Sequence, residues 1–483
     1  MSAAAGQGQP PSEACHATVA ARLGGEGERR SRERRLTPRH PALGRGTWSR
    51  RGRGSAEPGS GGRDPARSCR TRPECVGAWR TSPEPGILGP VHDVIVIGGG
   101  VVGAATAYLC AREGLRTLLL DRADEGRATD AGAGIISPGT STRHETLFQL
   151  GLRSAAYYPT LLRHLAEDGG GDTGYGLCGD LRVAVSEEEL GPLRSLLALL
   201  DERRRRHGRP TSDEVSEISP DDARELFPPL ARPLRVLHDR TAARIDGRLL
   251  NRALLEAAAR RGLTLVRGGA DRLLVDGDRV AGVVAGADTH RAGRVVIAGG
   301  AWSGAFAGQL GVRLPVAPQC GQILHLRVPD ARTADWPVVH AFQDQYIVAW
   351  GGGRVVAGAT RETGSGFEPR ITAGGVQSVL AEALRVAPGL AGAELIEMRV
   401  GLRPMSADGL PILGPVPVAG VQLITGHGPS GLTYGPYCAR LVTDLLVGRT
   451  PELDLSPFAI ERFAARPLAR GTDRAGRSSP FPP

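Results

Sequence analysis

The segment from Asp93 to Asp121 constrains the fold of this chain most, because its pattern is a strand, a turn, a helix and a second strand. Val94–Ile97 is a short apolar run of strand type, Val101–Arg112 has the character of a helix, and Thr117–Leu120 is a second buried strand. Helices that alternate with strands in this way favour a parallel sheet, with a ligand crevice at the carboxyl ends of its strands.

The turn in this unit matches the pattern GxGxxG, in which each glycine has its own task. Gly98 makes the tight turn, Gly100 lets the backbone approach a pyrophosphate, and Gly103 lets the helix pack closely on the strand. Val101 and Val102 begin the helix, whose N-terminus faces the phosphate charge. The pattern alone is weak in a chain with 68 glycines, but its place between a strand and a helix predicts a dinucleotide site.

Asp121 stands at the end of the second strand, about 20 residues after the turn, where a carboxylate accepts hydrogen bonds from ribose hydroxyls. We place the adjacent Arg122 in the same nucleotide site. Taken by itself, this unit would serve NAD as well as FAD.

Composition excludes several other classes of protein. All 60 basic residues are Arg, so a GxxxxGK[ST] phosphate loop and a pyridoxal enzyme, which both need a Lys, are excluded. The 11 histidines show no HExxH-type spacing, and we expect no metal site. Residues 1–90 hold 16 Arg and 8 acidic residues, which is +8 of the formal net charge of +9. The rest of the chain is electrically balanced, so we expect no nucleic-acid partner.

Residues 1–90 and 466–483 are predicted to be disordered, because they are polar or rich in Gly, Pro and Arg without apolar periodicity. For the first segment two alternatives stay open: an arm that contacts nucleic acid, or a stretch that the native protein lacks because translation starts later. The seven cysteines are scattered without a CxxC pair, which is typical of reduced cytosolic thiols. No apolar run reaches the roughly 18 residues of a membrane span. We therefore expect a cytoplasmic protein, with peripheral attachment to the inner membrane as the alternative.

Further segments are unusually rich in small residues. Thr129–Ser137 reads TDAGAGIIS, Val295–Ser303 reads VVIAGGAWS, and Gly401–Pro404 reads GLRP. Gly426–Gly428 then leads to Gly431 at the start of a helix. Together with the glycine turn, these segments resemble the D-amino-acid oxidase superfamily of flavoproteins, and within it most closely the D-amino-acid dehydrogenases and glycine oxidase. The resemblance covers residues 92–465.

The resemblance implies FAD as the cofactor. In the family, the first segment lies along the pyrophosphate and beside the flavin, the second passes under the cofactor, and the last helix begins near the flavin N1, where a helix N-terminus stabilises negative charge. The residues assigned to FAD in this way are Thr129, Ala131, Gly134, Ile135, Ala270, Gly300, Trp302, Gly428, Gly431, Leu432 and Thr433. Family members with a covalent flavin have a Cys close to the position of Gly401, and none stands near it in this sequence, so we expect non-covalent FAD.

The resemblance also implies an amino-acid substrate. Arg403 of GLRP matches the residue that binds the substrate carboxylate, Tyr346 matches an active-site tyrosine, and His427 either lines the flavin or acts as an acid or base. We expect oxidative deamination of a small D-amino acid or glycine, with oxygen, a quinone or a carrier protein as the electron acceptor. Oxidation of sarcosine-like or proline-like secondary amines is the first alternative, and a non-catalytic flavoprotein binder is the remote one. A homo-oligomer is compatible with all of these.

The expected fold class is α/β, with a Rossmann-like FAD-binding domain interleaved with a smaller α+β substrate domain on an antiparallel sheet. The FAD-binding domain is assigned residues 91–172, 240–312 and 396–465, and the substrate domain residues 173–239 and 313–395.

Overall fold

The computed structural model describes residues 92–329, 332–342 and 345–464. The α-helices in these residues are α1 (Val101–Arg112), α2 (Glu145–Glu167), α3 (Glu187–His207), α4 (Pro220–Leu226), α5 (Gly247–Arg260), α6 (Ala307–Leu310), α7 (Ala373–Val386) and α8 (Gly431–Leu446). The strands are β1 (Val94–Ile97), β2 (Thr117–Asp121), β3 (Ile135–Ile136), β4 (Gly176–Leu177), β5 (Asp180–Ala184), β6 (Val215–Ile218), β7 (Arg235–Asp239), β8 (Ala243–Arg244), β9 (Thr264–Arg267), β10 (Arg272–Asp276), β11 (Arg279–Ala285), β12 (Asp288–Arg291), β13 (Val295–Ile297), β14 (Val316–Arg327), β15 (Val338–Ala341), β16 (Tyr346–Ala349), β17 (Arg354–Gly358), β18 (Glu362–Thr363), β19 (Glu394–Ser406), β20 (Ile412–Pro415) and β21 (Val421–Thr425).

A parallel sheet forms the first layer. Its strand order is β20-β21-β13-β1-β2-β9, and every pair is parallel except β20 with β21. All four residues of β1 are buried, as expected for a central strand that is covered on both faces. Helices α1, α2, α5 and α8 contribute to the hydrophobic core on one side, and the antiparallel meander β10-β11-β12 contributes to the core on the other.

A second, nine-stranded sheet forms the other layer. Its order is β18-β14-β17-β16-β15-β5-β7-β6, and β19 pairs with β14 off this path. The pairs are antiparallel except β15 with β5. The long pair β14–β19 runs from Val316 opposite Ser406 to Arg327 opposite Glu394. It brings the GLRP segment, at the end of β19, up to the parallel layer.

The predicted α/β architecture with a second, antiparallel layer is confirmed. The residue ranges of the two domains stay a prediction, although β19 crosses the expected boundary between residues 395 and 396. The predicted tails, residues 1–90 and 466–483, lie outside the described residues. No helix within the described ranges is long and apolar enough to cross a bilayer.

Helix α2 was missed by the sequence analysis, which assigned no element to residues 145–167. Gly151 and Pro159 lie inside this helix and argue against one on propensity alone. Its apolar face packs against α8, and Leu150, Tyr158 and Leu161 are fully or almost fully buried. Tertiary burial therefore outweighs the poor local propensity.

Candidate active site

One cavity of about 520 Å³ runs from the carboxyl ends of β1 and β2 to a face of the antiparallel sheet. All the residues predicted for the site line it except Gly103. A volume of this size is typical of a small-molecule or cofactor site. We call the end of the cavity at the glycine turn the nucleotide end, and the opposite end, at the antiparallel sheet, the far end.

The glycine turn lies at the nucleotide end and has the predicted backbone geometry. Gly98 has a φ of 103°, in the region that favours glycine. A Cβ on Gly103 would overlap the carbonyl oxygen of Gly98, so this residue lets α1 pack on the turn and does not face the cavity. The amide of Val101, at the first turn of α1, donates to Thr129 Oγ1 at 2.9 Å. The next segment of the chain is thereby held against the start of the helix.

Asp121 lies beside this turn at the end of β2. Its Oδ1 accepts from the amide of Gly99 at 3.0 Å, and its Oδ2 from Nη1 of Arg127 at 2.9 Å. Both side chains are partly exposed at the cavity, so the carboxylate keeps lone pairs for ribose hydroxyls. Arg122 also lines the cavity but is paired with Asp124 at 2.9 Å. Arg127 was not predicted, because no motif marks an Arg in this loop.

The small-residue segment after Thr129 forms the middle of the cavity wall. Gly134 has a φ of 82°, and a Cβ there would overlap the carbonyl oxygen of Ile245. The hydroxyl of Thr433, in the first turn of α8, donates to the carbonyl of Ile135 at 2.9 Å. These contacts bring the segment and the N-terminus of α8 to the same side of the cavity.

The GLRP strand and the turn after β13 complete the middle of the cavity. A Cβ on Gly401 would lie 2.9 Å from the Cβ of Ala131, so glycine is needed for the strand to approach the small-residue segment. On the other side, Thr425 Oγ1 donates to the carbonyl of Gly300 at 2.8 Å, and Trp302 lines the cavity next to that turn. Small side chains on both walls leave room for a flat ligand between them.

His427 is buried in the turn that precedes α8. Its Nε2 has no hydrogen-bond partner among the described residues, and the residue lines the cavity. Burial lowers the pKa of the imidazole to about 4, so the ring is neutral at pH 7. Gly428, with a φ of 55°, and Gly431, the first residue of α8, follow it at the cavity.

Arg403 and Tyr346 lie at the far end of the cavity. The Nη1 of Arg403 donates to the carbonyl of Thr360 at 2.9 Å and lies 3.4 Å from Gln319 Oε1. Within the described residues its guanidinium has no carboxylate partner, and burial lowers its pKa. The phenol of Tyr346 lies close to this guanidinium and, because burial raises its pKa, keeps its proton.

Sequence reasoning missed several polar residues at this end. Arg143, Arg182, His340 and Arg361 all line the cavity. Sheet pairing places His340 directly opposite Tyr346 on one side and opposite Arg182 on the other. No local motif marks these residues, and for Arg182 and His340 it is long-range strand pairing that brings them beside Tyr346.

The residues of the cavity fit FAD. The glycine turn and the N-terminus of α1 can hold a pyrophosphate, and Asp121 a ribose. The middle of the cavity, between small-residue walls, suits the flat flavin, and the N-terminus of α8 adjoins it.

Comparison with known proteins gives consistent matches. A family model described as FAD dependent oxidoreductase matches residues 93–445. An uncharacterised oxidoreductase of Bacillus subtilis is 40% identical over 369 residues, which cover 75% of this chain and 97% of that protein. A glycine oxidase of Pseudomonas aeruginosa is 33% identical over 377 residues, covering 76% of this chain and 98% of that protein. Among solved structures, an iminodiacetate oxidase from Chelativorans sp. BNC1 is 37% identical, with a TM-score of 0.71 and coverage of 76% of this chain and 98% of that one.

Proposed function

This chain belongs to the FAD dependent oxidoreductase family, and we propose that it oxidises the bond between Cα and nitrogen of a small amino acid. Membership of the family confirms the resemblance predicted from the sequence, with FAD as the cofactor and an oxidoreductase as the class of enzyme. The substrate, the roles of individual residues and the electron acceptor are proposals.

The guanidinium of Arg403 carries the proposal. It is largely buried at the end of the cavity, and its partners among the described residues are neutral oxygens. A buried cation without a counter-charge is costly, so an anionic ligand that reaches it is strongly favoured. The planar fork of Arg suits a carboxylate, to which it donates two parallel hydrogen bonds. An α-amino acid bound in this way has its Cα close to the guanidinium.

Tyr346 supplies a second donor for the same carboxylate. Its phenol is protonated over the whole physiological range, because burial raises its pKa. Tyr346 on β16 pairs with Gly358 of β17, and its hydroxyl lies over that glycine. A Cβ at position 358 would lie 2.7 Å from the hydroxyl. Glycine at position 358 therefore leaves the space that the phenol needs.

The reaction needs little more from the protein than position and polarity. When bound, FAD supplies the acceptor for the hydride that leaves Cα. The amine nitrogen loses a proton as the C=N bond forms, and water then adds to that bond and releases a keto acid and ammonia. His427 is neutral at pH 7, so we assign it to lining the flavin and accepting hydrogen bonds, and not to proton donation.

Non-covalent binding of FAD is part of the proposal, although a Cys does lie near Gly401 in the folded chain. Cys320 is far from Gly401 in sequence, yet β14 places it directly opposite Leu402. Its thiol is fully buried in a cluster with Ala301 and Leu402, and Cys320 is not among the described residues that line the cavity. The thiol is therefore not part of the cavity wall in the described part of the chain, as non-covalent binding requires.

Secondary amines are the second candidate substrates. The likeness to an iminodiacetate oxidase favours them, because iminodiacetate is a secondary amine. With such a substrate the hydrolysis of the C=N bond releases a primary amine instead of ammonia. The same Arg403 contact would serve both classes.

An anaerobic half-reaction tests the proposed function. The purified yellow holoenzyme is mixed with glycine, D-alanine, sarcosine and D-proline, and bleaching of the flavin band is followed. We expect at least one of them, or a related amino acid, to bleach it and to yield the matching keto acid. If no amino acid does so, while dithionite still bleaches the flavin, the proposal is wrong. Reoxidation by oxygen and by an artificial carrier then identifies the class of acceptor.

A further inference from the structure

We propose that the substrate carries a second carboxylate, which Arg143 and Arg182 bind at the end of the cavity beyond Tyr346. The inference rests on the proposed function, because it names the substrate class of the same site. Neither Arg belongs to a motif of the sequence, and only the pairing of distant strands brings Arg182 to the cavity.

A row of polar side chains across one face of the antiparallel sheet sets the direction of the substrate. Tyr346 on β16 is opposite His340 on β15, and His340 is opposite Arg182 on β5, so the three side chains share one face. All three line the cavity. Neighbouring strands lie about 4.8 Å apart, so the backbones of Arg182 and Tyr346 are separated by roughly 10 Å. A substrate held by Arg403 and Tyr346 can therefore extend along this row towards Arg182.

Arg side chains are concentrated at this end, where Arg143, Arg182 and Arg403 line the cavity. The carboxylates that line the cavity in the described part of the chain are at the end of β2 or just after it, at the nucleotide end. A cation without a carboxylate partner at the wall of a partly enclosed cavity attracts an anionic ligand.

One buried carboxylate lies behind the row and orients it. Asp180 is fully buried, lies 2.8 Å from His340 Nδ1 and 3.4 Å from Arg182 Nε, and accepts from the Ser137 hydroxyl at 2.6 Å. Burial alone would raise its pKa, but His340 and Arg182 hold the pKa of this carboxyl well below its usual value. Asp180 is therefore ionised, and its negative charge offsets about one positive charge of the Arg182 and His340 pair. Its contacts with both residues also fix the orientation of their side chains.

Arg143 has no such compensation. Its side chain makes no ion pair or hydrogen bond with the described residues, and it is half-buried at the cavity. Arg203 on α3 holds the loop that carries Arg143 in place. Its guanidinium donates to the carbonyl of Arg143 at 2.9 Å and to that of Ser141. Arg203 is in turn buried over the ring of Phe148, 3.8 Å from its centroid. The Arg143 position is thus built into the fold, and its charge is left for a ligand.

Two Arg residues that line the cavity, Arg403 and Arg143, thus have no carboxylate partner in the described part of the chain. Arg143 follows Thr140, whose hydroxyl accepts from Nε of Arg182 at 2.9 Å, so its loop adjoins the Arg182 end of the row. The ligand chemistry that satisfies both is an amine with two carboxylates, one of them on the carbon that is oxidised. Either an α-amino dicarboxylic acid or an N-carboxyalkyl amino acid has this form. A neutral amino acid would fill the Arg403 end and leave the other end to water.

The test compares substrates that differ in the second carboxylate. The matched pairs are D-aspartate with D-asparagine, D-glutamate with D-glutamine, and iminodiacetate with sarcosine. Flavin reduction in the holoenzyme is measured anaerobically, and kcat/KM is measured with the best acceptor. We expect the dicarboxylate of at least one pair to be favoured by about 10-fold or more, and the pair that responds tells an amino dicarboxylic acid from an N-carboxyalkyl amine.

Variants then assign the preference to the proposed residues. Arg143→Gln and Arg182→Gln should each reduce the dicarboxylate preference by about 10- to 150-fold, or abolish it, the loss that one charged hydrogen bond accounts for. Arg252→Gln removes an exposed Arg on α5, outside the cavity, and should keep the preference. Flavin content and melting temperature are measured for each variant. If Arg182→Gln does not fold because Asp180 loses a partner, Arg143→Gln carries the test, since the Arg143 side chain has no partner among the described residues.

The possible failures are distinguishable. If the neutral member of every pair is used as well as the dicarboxylate or better, the second subsite does not exist but the proposed function stands. An unchanged preference in both Gln variants also overturns the assignment of these residues. If no amino acid of either kind bleaches the flavin, the proposed function is wrong and this inference falls with it.

Discussion

Replacement of Arg403 by Leu is the sharpest perturbation of the proposed site. The variant keeps an apolar stem of similar reach but removes the donors that face the carboxylate. In the native protein the guanidinium covers Gly321, so the smaller Leu side chain replaces it over a residue that has no side chain. The neutral oxygens that lose a donor belong to Thr360, Gln319 and Cys320 at a partly solvated cavity wall, where water can replace it.

The size of the effect follows from the lost contacts. A hydrogen bond to a charged group is worth about 1.5–3 kcal/mol, and each 1.4 kcal/mol is tenfold in binding. We therefore expect the Kd of the substrate, and KM with it, to rise by about 10- to 150-fold. The limiting rate of flavin reduction should fall less, unless Arg403 also aligns Cα for hydride transfer.

The assay is stopped-flow reduction of the flavin over a range of substrate concentrations, which separates Kd from the limiting rate. Arg399→Leu is the matched control, because Arg399 lies four residues earlier on β19, pairs with Glu397 and is absent from the cavity wall. An unchanged Kd for every amino acid tried, or a loss of the same size in the control, would refute the role of Arg403.

Three further outcomes follow from the structure. Gly103→Val should yield colourless apoprotein, because the new Cβ would overlap the carbonyl oxygen of Gly98. Gly308→Val is the control and should stay yellow, because a Cβ there meets no atom within 4 Å. The visible spectrum of each purified variant shows whether flavin is bound. Acid precipitation should leave all the flavin in the supernatant, and colour in the pellet would contradict non-covalent binding. Burial alone would raise the pKa of Asp168, but hydrogen bonds from Arg261, Tyr108 and Arg112 lower it to about 2. This carboxylate therefore stabilises the fold above about pH 4 and loses that effect as the pH falls towards 2. Asp168→Asn should accordingly lower the melting temperature at pH 7 and differ less from wild type near pH 2, and an equal difference at both would contradict this.

The chain shows where sequence reasoning succeeds. The strand Val94–Ile97 and the helix Val101–Arg112 have the predicted bounds, and α8 begins at Gly431 as predicted. These elements have strong local signals, such as apolar periodicity or an adjacent glycine turn. Where the local signal is contradictory, as in α2 with its Gly151 and Pro159, the helix was not predicted.

The sequence by itself determined the cofactor half of this protein. The turn, the helix and the carboxylate that follow β1 are close together in the chain, so their spacing alone reports how they meet a dinucleotide. The far end of the cavity was decided only by tertiary structure. Arg182 and His340 are 158 residues apart and meet Tyr346 through strand register, and Cys320 lies beside Leu402 for the same reason. Register is set by the packing of the whole sheet, so no short stretch of sequence contains it.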